Sequence, residues 1–163
     1  MKASGHAMVG AVGGIAVGAA TNSPLAGAIT LFAGVLVDVD HIVEIWLWLV
    51  RKVKPTRLFV FLHAWEGLAA LIILLIVLGA SPPLIGLTVG YGLHVLGDNL
   101  FNRARHLAYF ISWRLINGFR IEAFTHQPTE RMTSGLCQAV PLRGYVLPLL
   151  KWLDARIFKA RPP

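Results

Sequence analysis

Residues 3–37 read ASGHAMVGAVGGIAVGAATNSPLAGAITLFAGVLV, a run without a single Asp, Glu, Lys or Arg. A second uncharged run, residues 67–97, reads GLAALIILLIVLGASPPLIGLTVGYGLHVLG. A bilayer crossing takes about 20 predominantly apolar residues, so each run can cross, turn and return. Each carries a breaker near its middle, Asn22-Ser23-Pro24 in the first and Gly79-Ala80-Ser81-Pro82-Pro83 in the second. Proline has no amide hydrogen to give to a helix interior. The pattern predicts helices over residues 6–21, 24–38, 58–79 and 83–101, with a continuation of the second through the Trp-rich residues 42–50. The expected fold is all-α: a polytopic membrane helix bundle of about four transmembrane helices in residues 1–102, then a basic, partly interfacial helical tail in residues 103–163.

Composition agrees with that reading. Charged residues make up 14% of the 163 and hydrophobic residues 56%, whereas soluble domains carry roughly 25% charged residues. A disordered chain is excluded, since disorder requires low hydrophobicity and high charge. The single cysteine, Cys137, rules out an internal disulfide and any multi-cysteine zinc site, and is expected to be a small buried residue. Lys2 followed by an apolar run ending at Gly18-Ala19-Ala20 also fits a secretory signal peptide, although six glycines between Gly5 and Gly27 make a poor apolar middle.

The charges are unevenly placed. Residues 1–100 hold five basic and five acidic residues, and residues 101–163 hold ten basic and three acidic. Lys2, Arg51, Lys52, Lys54, Arg57, Arg103 and Arg105 all flank one set of helix ends, while the turns at residues 21–24 and 80–83 have no basic residue. By the positive-inside rule that face is expected to be cytoplasmic, which places both chain ends there. In the tail, Leu107, Phe110, Ile111 and Trp113 alternate with Arg103, Arg105, Arg114 and Arg120, and Leu149, Leu150, Leu153 and Ile157 lie beside Lys151, Arg156 and Lys159. Such segments either lie among lipid headgroups or form a small cap on the helix ends.

Every acid before residue 100 has a histidine within four positions: Asp38, Asp40 and Glu44 around His41, Glu66 after His63, and Asp98 after His94. Ionised groups in a membrane span are costly, roughly 2.5–3.5 kcal/mol each near the bilayer centre, and mark function by default. On the four expected helices, His6, Asp38, His63, Glu66, His94 and Asp98 all fall at one membrane depth. The spacings His63 to Glu66 and His94 to Asp98 put each pair on one helix face; Asp38 and His41 share a face likewise, whereas Asp40 points away if the helix continues. Imidazoles and carboxylates delivered by several helices are what a divalent metal site in a bundle requires. His106 and His126 lie outside the cluster and are expected at the surface.

With these residues in view, the chain resembles the inner-membrane, metal-dependent hydrolases. An N-terminal His6, a Gly-rich helix pair ending in Gly34-Val35-Leu36-Val37-Asp38-Val39-Asp40-His41, a later His63, and His94-x-x-x-Asp98 carry the likeness over residues 1 to about 102. The chain departs from the family at Val37, where Pro is typical, and around His63, where Phe61-Leu62-His63-Ala64-Trp65-Glu66 replaces an Arg-Gly-x-x-His-Ser type of sequence. The resemblance implies metal binding by His6, Asp38, His63, His94 and Asp98, with Asp40 or Glu66 as a further ligand or base. The His-x-x-x-Asp helix is also similar to zinc-dependent phospholipase C, which suggests phosphoester hydrolysis.

The expected activity is hydrolysis of a phosphoester or lipid-like substrate at the cytoplasmic membrane interface, with zinc as the metal that suits this histidine content. Glu66, or whichever of Asp40 and His41 stays uncoordinated, takes the proton. Membrane lipids are the expected partners, and an anionic phospholipid or other phosphate ester the expected substrate. Nucleic acid is not expected, because the basic tail has no nucleic-acid fold signature. The competing reading is a non-catalytic membrane adaptor with a structural metal and a partner-binding tail. A transport path is disfavoured because nothing acidic continues toward the opposite turns. The His-Glu-x-x-His, Gly-x-Ser-x-Gly and phosphate-loop signatures do not occur, nor do the Ser-Arg and Pro-Ser-Gly-His elements that accompany His-x-x-x-Asp in lipid phosphatases.

Overall fold

A computed structural model describes residues 1–53, 56–102, 104–125, 127 and 143–158. The described chain is all-helical, with two isolated antiparallel bridges, Arg57 with Arg120 and Ala104 with Thr125. His126 and Cys137 lie outside the described residues.

Helix α1 spans Ala3–Ala20 and α2 begins at Pro24 after a three-residue turn. The turn works as a helix start because the Ser23 hydroxyl accepts from the Ala26 amide and Pro24 occupies the first turn, where no amide hydrogen is needed. Helix α2 does not stop at residue 38. It runs on to Val50, changing from α-helix over Pro24–Leu36 to a 3₁₀ turn over Val37–His41, a single α turn over Ile42–Ile45 and a π-helical turn over Trp46–Val50. Helix α3 spans Trp65–Leu78 and ends at Gly79, whose φ of 85° suits glycine alone. Helix α4 spans Pro82–Phe101.

Glycines let α1, α2 and α4 lie nearly backbone to backbone. A methyl group on Gly14 would sit 2.6 Å from the Gly27 carbonyl oxygen, and one on Gly27 the same distance from that of Gly14. Gly86 and Gly90 in α4 face the backbone of α2 in the same way. Small residues at a helix interface are the membrane solution to close approach.

The exterior matches. Met8, Val12 and Ile15 of α1, Leu25 and Phe32 of α2, and Ile73, Ile76 and Val77 of α3 are exposed, while the charged and polar residues His6, Asp38, His63, His94 and Asp98 are buried. Apolar outside and polar inside is an arrangement that lipid favours and water opposes. Helices Ala3–Ala20 and Pro24–Val50 are long and apolar enough to cross a membrane. Helix α3 is apolar but has 14 residues, about 21 Å at 1.5 Å per residue, short of a hydrocarbon core of about 30 Å.

One expectation needs correction. The third helix starts at Trp65, not at residue 58, because the amides and carbonyls before it are taken by groups elsewhere in the fold. Phe59 N donates to Glu44 and Leu62 N to Asp40; Arg114 donates to the carbonyls of Val60 and His63; Tyr91 donates to the Ala64 carbonyl. His63 and Glu66 therefore do not share a helix face. Of the two arrangements left open for the tail, residues 104–125 take the second and fold onto the helix ends as a cap. Helices α5 (Ile111–Ile116) and α6 (Ile121–Phe124) belong to it, and Ala108, Tyr109, Arg114 and Ile121 are buried. Tyr109 and Ala108 share a core with Val37, Tyr91 and Val95, and Ile121 shares one with Trp48, Leu58 and Val60.

Helix α7 (Arg143–Phe158) meets the π turn of α2, where Asp154 accepts from Trp46 Nε1 at 2.9 Å and faces Arg51 at 3.5 Å. Its Tyr145, Leu149, Trp152 and Ile157 are exposed.

Candidate metal centre

The cluster is assembled from four segments. The 3₁₀ turn in α2 places Asp38 and His41 on one side, since three residues per turn align positions three apart; His41 Nε2 lies 3.8 Å from Asp38 Oδ1. The extended segment brings His63, the end of α4 brings His94 and Asp98, and the first turns of α1 bring His6. His6, Asp38, His41, His63, His94 and Asp98 are all buried, none more than 5% exposed.

Around His63 several donor atoms lie as close together as ligands of an ion do. His63 Nε2 lies 3.2 Å from His94 Nε2, 3.2 Å from Asp38 Oδ1 and 3.4 Å from Asp98 Oδ2. His94 Nε2 lies 3.6 Å from Asp38 Oδ1 and 3.5 Å from Asp98 Oδ2. Four donors around a tetrahedral zinc at bonds of about 2.0–2.1 Å are separated by about 3.3–3.4 Å. Ligand atoms of His6, Asp38, His94 and Asp98 form one set within 4.8 Å of one another, and those of Asp38, His41 and His63 a second. Asp38 belongs to both.

The tautomers point the same way. His94 Nδ1 sits 2.8 Å from the Gly34 carbonyl oxygen, which can only accept, so Nδ1 carries the proton and Nε2 presents a lone pair to the centre. His63 Nδ1 faces Asp40 Oδ1 at 3.1 Å, leaving Nε2 directed inward. Two imidazole lone pairs and two carboxylates converging in a buried space repel one another unless a cation lies between them. Asp38 Oδ2, His6 Nδ1, His41 Nδ1 and, despite their close approach, His63 Nδ1 and Asp40 Oδ1 are buried with no hydrogen-bond partner among the described residues. The donor set and its spacing fit a divalent ion.

His6 completes the ring of histidines. Its Nε2 is 3.0 Å from Asp98 Oδ1 and its ring stacks on His94 with centroids 3.8 Å apart. The Met1 amino group also contacts Asp98 and Asn102. Asp40 accepts from Leu62 N and faces His63 Nδ1 from behind; the helix does continue through Asp40, as a 3₁₀ turn, and Asp40 still lies beside the cluster.

Glu66 stands apart. Its two oxygens accept from Ile111 N, Ser112 N and the Ser112 hydroxyl, which makes it the cap of α5. These partners occupy the carboxylate that the sequence offered as a base. His106 is exposed, as expected.

Sequence reasoning missed Glu44 and Arg114. Glu44 is 1% exposed and holds Phe59 N; Arg114 is 2% exposed and holds the carbonyl of His63 itself. Burial lowers the Arg114 pKa while the Asp40 and Glu66 carboxylates oppose the shift, and a guanidinium stays protonated. Burial, reinforced by the charge of Asp98, raises the pKa of Tyr109 far above the usual phenol range, so its hydroxyl stays neutral and receives a hydrogen bond from Asn102. The signal available for Glu44 was its place in a segment otherwise apolar from Ile42 to Val50; nothing separated Arg114 from the other tail arginines.

Comparison of the chain with known families, curated proteins and solved structures finds no match.

Proposed function

We propose that the protein is a membrane-embedded, metal-dependent hydrolase of lipid-like or phosphoester substrates, an inner-membrane protein with about four membrane-spanning helices, the short α3 crossing where the bilayer thins to meet it, and both ends in the cytoplasm. The observation that carries the reading is that Nε2 of His63 and Nε2 of His94 lie 3.2 Å apart and each lies 3.2–3.6 Å from a carboxylate oxygen of Asp38 and of Asp98. The resemblance of residues 1–102 to inner-membrane, metal-dependent hydrolases supports it.

His63, His94, Asp38 and Asp98 hold the ion, with His6 beside Asp98. Two nitrogens and two carboxylates suit zinc, although geometry and availability also enter the choice of metal. A divalent ion in such a site acidifies water and polarises an ester or phosphoryl group. Asp40 fixes the ring of His63, and the Gly34 carbonyl fixes that of His94. His41, 3.8 Å from Asp38 and with Nδ1 unpartnered among the described residues, takes the proton.

A lipid-like substrate is favoured by an apolar cavity of about 390 Å³ lined by Phe32, Leu36, Val37, Leu62, Leu87 and Tyr91 among others. Val37 and Leu62 each immediately precede a residue of the cluster, so an aliphatic chain lying here has its polar end close to the metal site.

The test is metal analysis of detergent-purified protein together with hydrolysis of phospholipid and generic phosphate-ester substrates. Zinc at about one equivalent or more, lost with activity in His94→Ala and Asp98→Ala, is the expected result. Full metal occupancy in both variants, or a protein that binds no metal, overturns the proposal. Metal without hydrolysis, joined to tail-dependent capture of a partner, would establish the adaptor reading in its place.

A further inference from the structure

A second polar site lies in the cap, apart from the metal cluster. Thr56, Arg57, Arg105, Trp113, Asn117, Arg120, Glu122 and Ala123 line a cavity of about 640 Å³. Three arginines and one carboxylate leave it net positive. Arg57 and Arg120 stand directly opposite one another across an antiparallel bridge, a placement of like charges that is unfavourable by itself. The bridge is tied by backbone bonds, Leu58 N to the Phe119 carbonyl and Ile121 N to the Thr56 carbonyl, so the two arginines are held together by the fold. The Trp113 ring forms part of the wall, and its Nε1 is buried with no hydrogen-bond partner among the described residues.

We infer that this cavity binds a phosphate group, with Arg57 and Arg120 as its paired ligands and Arg105 at its side. A phosphate dianion removes the repulsion that the bridge imposes, and the planar guanidinium is the donor best matched to its oxygens. Arg57 is six residues from His63 along an extended segment, which separates the two by at most about 20 Å. None of the residues that line the cavity belongs to the metal cluster, so the site stands whether or not that cluster holds a metal. Exposed Leu107, Leu115 and Ile116 lie in the same cap, which puts the cavity where a lipid headgroup or a free cytoplasmic phosphate can enter.

The test is titration calorimetry on the detergent-solubilised full chain treated with chelator, so that the metal plays no part. The probes are inorganic phosphate, dihexanoyl phosphatidic acid and, as a zwitterionic control, dihexanoyl phosphatidylcholine. Saturable binding of phosphatidic acid alone assigns the site to a headgroup, and binding of both phosphate compounds with similar affinity assigns it to phosphate from either source. In either case Arg57→Gln and Arg120→Gln each weaken binding on the order of tenfold, while Glu122→Gln, which removes the one carboxylate from the wall, tightens it. Both arginines are exposed and their bridge is a backbone contact, so the variants are expected to fold; thermal unfolding verifies this. Absence of binding by both phosphate compounds, equal binding of phosphatidylcholine, or affinities unchanged in both arginine variants overturns the inference.

Discussion

Asp40 does its work without reaching the centre of the cluster. Its carboxylate stands behind His63, 3.1 Å from Nδ1, and is itself held by the Leu62 amide at 2.8 Å. Supports of this kind typically cost 10–100-fold in metal affinity when removed. Asp40→Asn is expected to weaken metal binding by about that much, measured by competition with a chromogenic chelator, while the helical content by circular dichroism is unchanged. An affinity equal to wild type would show that His63 is oriented by its backbone alone. Acid acts on the same residues: imidazole ligands must be neutral and carboxylates ionised to bind a cation, so protons compete with metal and affinity falls as pH falls. Metal retained undiminished through acidification would remove His63 and His94 from the ligand set.

At the scale of elements, the segment Leu58–Ala64 is the unusual one. It buries Leu58, Val60, His63 and Ala64 and exposes Phe59, Phe61 and Leu62, makes no helical hydrogen bonds, and has its backbone groups satisfied by side chains of α2, α4 and α5 instead. Buried backbone groups must find partners, and each one left unpaired costs about 1–3 kcal/mol. Arg114→Met strips partners from two carbonyls and is expected to destabilise the protein by roughly 2–5 kcal/mol, read as a lowered unfolding temperature in detergent. Because one of those carbonyls belongs to His63, metal affinity is expected to fall as well. The α1–α2 contact makes a separate demand. Gly27→Val places bulk where the Gly14 carbonyl already lies, and overpacking of this kind costs about 1–3 kcal/mol; an unfolding temperature equal to wild type would contradict the contact.

Helices α1 to α4 turn many apolar side chains outward while His6, Asp38, His94 and Asp98 are buried, and this inversion gives the topology proposal its test. In a Cys137→Ser background, Asn22→Cys, in the turn between α1 and α2, is expected to react with a membrane-impermeant thiol reagent from the outer side. Arg57→Cys is expected to react only after the cytoplasmic side is opened. Labelling of both positions from one side would overturn the four-span arrangement. Much of this architecture was legible in the chain. The uncharged runs, the Ser23-Pro24 start of α2, the Gly79 stop of α3 and the glycine-rich faces are local signals, and local backbone physics acts on them directly. The approach of His6, Asp38, His63, His94 and Asp98 was legible too, because a membrane leaves few places for a charge and the helix ends set their common depth. Other features depended on neighbours distant in sequence. The helix expected from residue 58 is extended because Glu44, Asp40, Tyr91 and Arg114 take its hydrogen bonds, and Glu66 became a helix cap because the cap segment brought two free amides to it. Sequence alone determined which residues would gather at one end of the helices, since the placement of charge follows from composition and spacing. Only the tertiary structure decided which nitrogen of each histidine faces inward and which carboxylates stand behind, because those depend on where backbone carbonyls and amides of remote segments come to rest.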